Sequence, residues 1–244
     1  MDLKKKNNLD DNFSYELIPI GYYDKIFNKK KGIQSAWHNL KFKFLKEKIP
    51  AKNFHLDYGC GPGTFLNYLK VKKKVGIDIS KNQIKYAKKH YNNKNTKFIS
   101  VNLSKIPFDD NTFDSISLVE LIEHLEAKEI NKILDICYKK LKKNGKIFIT
   151  TPNYFSFWVI LEIIVNLISP IKYHDQHITK FSVLKIKNKI DQKKFKINKL
   201  KSFLLISPFV AFISFKLSLK FLKIDSLLTK IIPGHLIYLE LQKI

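Results

Sequence analysis

The sequence predicts an α/β fold in which a doubly wound, mostly parallel sheet carries helices on both faces. Three observations predict it. Short apolar runs alternate with amphipathic segments at a regular rhythm as far as Thr150. The first run, FHLDYGCGPG over 54–63, ends in an acid and then in Gly59, Gly61 and Gly63, the layout of a buried strand that turns sharply into a helix. The second, VGIDI over 75–79, carries an acid, Asp78, at its end.

Taken in order, residues 1–20 read as a frayed polar tail without the apolar segment of a secretory signal. The aromatic-rich stretch Tyr22 to Ile49 predicts one or two helices stopped by Pro50, with Trp37 and His38 as packed core aromatics or as pocket lining. After the glycine turn, Thr64 to Lys70 reads as a short helix. Ser80 then caps a helix reaching about Tyr91, and Thr96 to Val101 reads as a third strand. Asp114 to Val119 is a fourth, followed by a helical start at Glu120. Ile130, Ile133, Leu134, Cys137 and Leu141 recur at helical spacing, predicting an amphipathic helix that ends near Asn144-Gly145. Lys146 to Thr150 is the fifth strand. Beyond Pro152 the rhythm breaks. Tyr154 to Ile171 is apolar but interrupted by Glu162, Asn166 and Pro170. Phe195 to Ile206 and His235 to Lys243 read as strands, and between them Phe209 to Lys223 places Lys216, Lys220 and Lys223 on one helical face. Residues 153–194 and 207–234 therefore read as cap segments over a single domain spanning 1–244.

Composition narrows the partners. Lys+Arg is 45 against Asp+Glu 21, a formal net charge of +24, yet every one of these cations is lysine. Arginine is favoured for bidentate phosphate and base contacts, so its absence argues against nucleic acid and leaves a weak pull towards acidic surfaces. Two cysteines, Cys60 and Cys137, give no disulfide framework and suggest a reducing cytoplasm.

The order and spacing of LDYGCGPG, VGIDIS, IPFDDNTFD, ELIEHL and LKKNGKIFITTPN resemble those of class I S-adenosylmethionine-dependent methyltransferases, in the small-molecule branch that includes ubiquinone-biosynthesis O-methyltransferases. The resemblance implies a Rossmann-like seven-stranded sheet, mostly parallel with one antiparallel C-terminal strand, plus an apolar helical cap. It implies S-adenosylmethionine as cofactor, with Asp57, Gly59 and Gly61 at its methionine end, Asp78 at the ribose and Asn102 at the adenine, and with Cys60, Ile79, Leu103 and Val119 completing the cofactor-binding set. The adenine position is usually an aspartate in the family, and Asn102 keeps only an amide oxygen there. The Gly-x-Gly-x-x-Gly spacing of dehydrogenases is absent because position 64 is Thr64.

Glu120-Leu-Ile-Glu123-His124 is the second chemical feature. On a helix, positions i, i+3 and i+4 share a face, so two carboxylates and an imidazole would converge at the end of the fourth strand. Relatives with such a cluster and a later histidine bind a divalent metal, which here implies Glu120, Glu123 and His124 as ligands for Mg²⁺, completed by His174 or His177. A plainer reading leaves Glu120 lining the cofactor pocket, Glu123 in a helical first turn and His124 as packing. Without a metal, His124 or His177 is the general base for a hydroxyl acceptor.

Together these readings describe a cytoplasmic enzyme, O-directed, acting on a small-molecule, glycan or lipid-linked acceptor. The greasy cap adds peripheral contact with the inner membrane face, or an edge cover or dimer contact. The alternatives are a metal-dependent RNA 2′-O-methyltransferase and a non-catalytic module that only binds the cofactor.

Overall fold

The computed structural model describes residues 16, 18–102, 106–168 and 176–244. Among them, seven strands form one sheet: β1 (Phe54–Tyr58), β2 (Lys73–Asp78), β3 (Thr96–Ser100), β4 (Phe113–Val119), β5 (Leu141–Pro152), β6 (Phe195–Phe203) and β7 (Leu236–Lys243). Their order is β3-β2-β1-β4-β5-β7-β6. Strands β1 to β5 run parallel, and β7 lies antiparallel between β5 and β6, with Ile149 opposite Leu239 and Ser202 opposite Ile237. This is the Rossmann-like sheet that the motifs imply. The chain leaves β1 in one direction through β2 and β3 and in the other through β4 and β5, so a crevice opens at the carboxyl ends of β1 and β4.

Helices cover both faces. Against one lie α5 (Ala127–Lys140) and α7 (Val183–Lys187), through Ile130, Ile133, Leu134, Cys137 and Ile186. Against the other lie α1 (Tyr22–Lys29), α2 (Gly32–Lys46), α3 (Thr64–Tyr68), α4 (Lys81–Tyr91), α6 (Trp158–Ile168), α8 (Ser207–Val210) and α9 (Phe215–Leu228). Phe44 of α2 stacks on Phe203 at 4.4 Å and meets the edge of Tyr238 at 5.0 Å, which fixes α2 over β6 and β7.

Local chemistry sets the ends. The Ser80 hydroxyl accepts from the Gln83 N–H at 3.2 Å, the cap that the sequence predicts for α4. At α5 the Glu129 carboxylate accepts from the Glu126 N–H at 2.9 Å, closing a capping box. Asp24, 4% exposed, accepts from the hydroxyls of Thr64, Tyr86 and Tyr91 at 2.8, 2.9 and 2.6 Å, and so ties α1 to α3 and α4. The tail begins to pack by Ile18, which is buried and whose carbonyl accepts from Gln83; residues 1–15 lie outside the described ones.

Two boundaries differ from expectation. Helix α5 ends at Lys140, short of Asn144-Gly145, because Leu141 already pairs with Phe113 of β4. The positive φ that closes the segment falls on Asn144, at 63°. The single helix expected over Phe209 to Lys223 is two, α8 and α9, broken where the Ser214 hydroxyl caps α9 by accepting from the Leu217 N–H. Buried Asp225 of α9 reaches back to accept from the backbone N–H groups of Leu205, Ile206 and Ser207 and from the Ser207 hydroxyl. At one edge of the sheet, β6 exposes Lys196 and Lys199 around an irregularity in register between Ile197 and Lys199.

Candidate active site

At the end of β1 the chain turns through Gly59 and Gly61, at φ 80° and 51°. An added Cβ at Gly59 would meet the Leu121 side chain at 2.9 Å, whereas at Gly61 nothing lies within 4 Å, leaving room for a ligand against the backbone. The Gly61 N–H donates to Asp78 Oδ2 at 2.7 Å, and Asp78 Oδ1 accepts from the Ser80 N–H at 2.8 Å. One carboxylate at the end of β2 thus holds the glycine turn and the start of α4 together. Burial raises the Asp78 pKa against these hydrogen bonds. Asp57 is 2% exposed and accepts from the Ser117 hydroxyl at 2.5 Å. Burial pushes it up to about 7, opposed chiefly by that hydrogen bond.

The other expected cofactor residues divide. Ile79, 49% exposed, follows β2 directly and exposed Asn102 lies just beyond β3, and Val119 is half-buried against the face of the sheet that carries α2 and α6. Cys60 contributes its backbone to the turn, while its thiol packs against Gly76, where an added Cβ would stand 2.7 Å from Sγ. Leu103 lies outside the described residues. The room at Gly61, the carboxylate at the end of β2 and a second buried carboxylate at Asp57 fit the methionine and ribose ends of S-adenosylmethionine.

Glu120 does not begin a helix. It sits at φ 50° directly after β4, its N–H donating to the Thr150 carbonyl. Only a short 3-10 turn, Ile122–His124, follows before α5. Its carboxylate turns towards α2, where it pairs with the ammonium of Lys41, 1% exposed, and accepts from Trp37 Nε1 at 3.2 Å. Burial would raise the Glu120 pKa, but Lys41 and then His38 overcome it and hold the group at about 2. His38, beside Lys41 at 3.4 Å, is lowered to about 3 by burial and then by that ammonium.

The structure instead brings Glu123, His124 and His177 together, one ligand atom of each lying within 4.8 Å of the others. The expected set of Glu120, Glu123 and His124 therefore loses Glu120 to Lys41, while His177, one of the two histidines expected to complete it, stands in the cluster; His174 lies outside the described residues. Glu123 is 1% exposed, and neither carboxylate oxygen has a hydrogen bond of ordinary geometry, although the Thr151 hydroxyl stands nearby. Burial and then Glu120 raise its pKa well above the usual carboxylate range. His124 Nδ1 pairs with the Gln176 carbonyl at 2.9 Å, and burial followed by His177 lowers this imidazole to about 4.

His177 Nδ1 is 2.6 Å from Glu162 Oε1 and 2.7 Å from the Tyr154 hydroxyl, which itself donates to Glu162 at 2.8 Å. Glu162 is 5% exposed on α6. Aromatic rings continue the wall: Trp158 stands 6.3 Å from His177 and 5.1 Å from Trp37, and Trp37 stacks on His235 at 6.3 Å. Buried Trp158 Nε1 and His235 Nδ1 have no hydrogen bond of ordinary geometry, although the Tyr154 side chain and the Leu205 backbone stand near these residues. Such buried polar atoms are rare in folded chains and are usually met by water or a ligand. Sequence reasoning missed Lys41, Tyr154, Glu162 and His235. The one signal on offer was Glu162, an acid inside an apolar helix. A separate cleft of about 470 Å³ lies at the amino ends of the strands between Phe54, Lys73, Lys97 and Phe108, away from these groups.

Comparison with known proteins agrees with this fold. Residues 56–149 match the family described as "Methyltransferase domain". An uncharacterized protein of Methanocaldococcus jannaschii is 35% identical over 99 residues, 40% of each chain. A phosphoethanolamine N-methyltransferase of Plasmodium falciparum is 35% identical over 100 residues, 39% of this chain and 37% of that protein. A sphingolipid C9-methyltransferase of Komagataella phaffii is 28% identical over 160 residues, 57% of this chain and 32% of that protein. The chain thus spans less than half the length of these relatives. Among solved structures, a SAM-dependent methyltransferase of Thermotoga maritima superposes with a TM-score of 0.67 at 17% identity, covering 93% of this chain and 97% of that one. One from Archaeoglobus fulgidus gives 0.58 at 22% identity, covering 84% and 94%. Likeness at these identities speaks for the fold.

Proposed function

We propose that the chain, whose residues 56–149 match the methyltransferase-domain family, is a class I S-adenosylmethionine-dependent methyltransferase that transfers a methyl group to an oxygen of a small-molecule or lipid-linked acceptor. The observation that carries the reading is the placement, at the carboxyl ends of the strands, of both the Gly61–Asp78 turn and the cluster of buried Glu123, half-buried His124 and buried His177. S-adenosylmethionine, when bound, supplies an electrophilic methyl on its sulfonium. Asp78 would accept from the ribose hydroxyls, Asp57 would balance the ammonium group, and Gly59 and Gly61 would let the main chain approach the methionine end. His177 removes the acceptor proton. Its Nδ1 is committed to Glu162 and Tyr154, so the proton is taken at Nε2, with Glu162 stabilising the imidazolium that results. His124 borders the same space, held by the Gln176 carbonyl.

Replacement of Asp78 by Ala tests the cofactor half. Calorimetric binding of S-adenosylhomocysteine should be lost, and unchanged affinity overturns the assignment. For the acceptor half, the chain is incubated with methyl-labelled cofactor and fractionated lipid, glycan and RNA extracts. Label should enter lipid or small-molecule fractions and fall by about 10²- to 10⁴-fold in His177→Ala, the range of general-base catalysis. Label confined to RNA would refute the acceptor class.

Glu123 favours one additional reading. A buried carboxylate with both oxygens unpartnered, beside two imidazoles whose Nδ1 atoms are already engaged, is a donor set for a divalent ion. One carboxylate with two imidazoles suits Mn²⁺, Fe²⁺ or Zn²⁺ better than Mg²⁺, which prefers oxygen. Calorimetric titration with Mn²⁺ should give one site that Glu123→Gln abolishes. Absence of heat with every one of these ions leaves Glu123 a neutral carboxyl.

A further inference from the structure

We propose that α9 and the turns at its two ends form a docking surface for an anionic lipid bilayer, with the helix lying in the plane of the surface. The inner side of α9 is fixed by buried Asp225 and Ser218, so its opposite side faces outward. On that outward side Lys216, Lys220 and Lys223 follow one another at spacings of four and three residues, one helical stripe. Leu217, Ile224 and Leu227, 38%, 39% and 62% exposed, run beside it.

The most exposed apolar side chains stand at the helix ends. Phe212 and Ile213, 78% and 85% exposed, precede α9, and Ile231, 88% exposed, follows it. A helix of 14 residues is about 21 Å long. Its two ends can meet one flat surface only if its axis lies parallel to that surface. Side chains of this kind enter the boundary between headgroups and acyl chains, while lysine stems reach back to the phosphates. No helix among the described residues is long and apolar enough to cross a membrane, so the contact lies on the surface.

Charge selects this occupant over a second copy of the chain. In a two-fold contact the same patch meets itself, which would set the lysine stripes of two copies against each other. A surface of phosphates complements them, in a chain of net charge +24 with no arginine. The surface also adjoins the active site: Phe209 of α8 stands 6.0 Å from His235, which stacks on Trp37. Docking does not depend on the methyl-transfer reading.

The test is co-sedimentation of the full chain with vesicles of phosphatidylcholine alone and of phosphatidylcholine mixed with phosphatidylserine. Binding is expected to the mixed vesicles at low salt, to weaken as salt is added, and to fall about tenfold or more in a variant carrying Ile213→Glu and Ile231→Glu. A second variant, Lys220→Glu with Lys223→Glu, should lose binding to the mixed vesicles while keeping its far-ultraviolet circular dichroism and its affinity for S-adenosylhomocysteine. Failure to bind either vesicle, or binding indifferent to both variants, overturns the proposal. So does a dimer in light scattering that Ile213→Glu dissolves without any vesicle binding, since a second copy then covers the face. The affinity for S-adenosylhomocysteine, read in parallel, keeps a failure here apart from a failure of the cofactor site.

Discussion

Asp57 shows how a single buried carboxyl joins stability to ligand binding. Burial raises it to about 7 although Ser117 donates to it. The folded value lies above the unfolded one, so the native state is penalised as pH rises from about 4 and the unfolded chain ionises first; the penalty levels off above about 7. Asp57→Asn should therefore raise stability most in alkaline buffer, by up to about 4 kcal/mol, and little near pH 4. Denaturant melts at the two pH values measure this, and an equal change at both would refute it. The same variant should bind S-adenosylhomocysteine more weakly, because a nearby ammonium favours the ionised carboxylate. In the native protein that affinity should climb between about pH 6 and 8, and a flat calorimetric profile across this range would count against the Asp57 assignment.

At the scale of elements, the contact between α2 and the end of β4 decides what the Glu120–His124 stretch can do. Lys41 and Glu120 form a nearly buried ion pair braced by Trp37. Removing one partner strands the other charge, so Lys41→Met should cost about 2–3 kcal/mol in chemical denaturation, allowing for the partial exposure of Glu120. Much of this should return when Glu120→Gln is added, and two additive single losses would mean that the pair is not coupled. Much of the site was legible because its signals are local. The glycine turn, Asp78 at a strand end and Ser80 as a cap each follow from neighbouring residues. Glu120 was misread because a helical spacing was extended back to a residue that the strand end holds at φ 50°. Lys41 carried no signal, being one lysine among many until α2 buries it. The Tyr154, Glu162 and His177 contact joins the end of β5 to α6 and a distant loop, which periodicity cannot see. His177 was legible only as a loose candidate until its partners were in place.

At the scale of the whole molecule, the parallel half of the sheet was foreseen strand by strand, and the cap was foreseen only as apolar. Its division at Ser214 depends on Asp225 reaching across to the loop after β6, a tertiary contact with no local motif. The lysine excess also has a use at the sheet's margin. Strand β6 ends the sheet, and its exposed Lys196 and Lys199 flank a disturbed register. An open strand edge is a template on which a foreign chain can add, and charge with irregular pairing blocks that addition. Exchanging both lysines for isoleucine should leave the melting temperature within a few degrees yet lower the concentration at which the protein forms thioflavin-positive fibres; unchanged solubility would show that the edge is guarded by other means. Charge at this edge thus works as a stopper against self-templating, keeping one margin of the sheet from growing beyond its own chain.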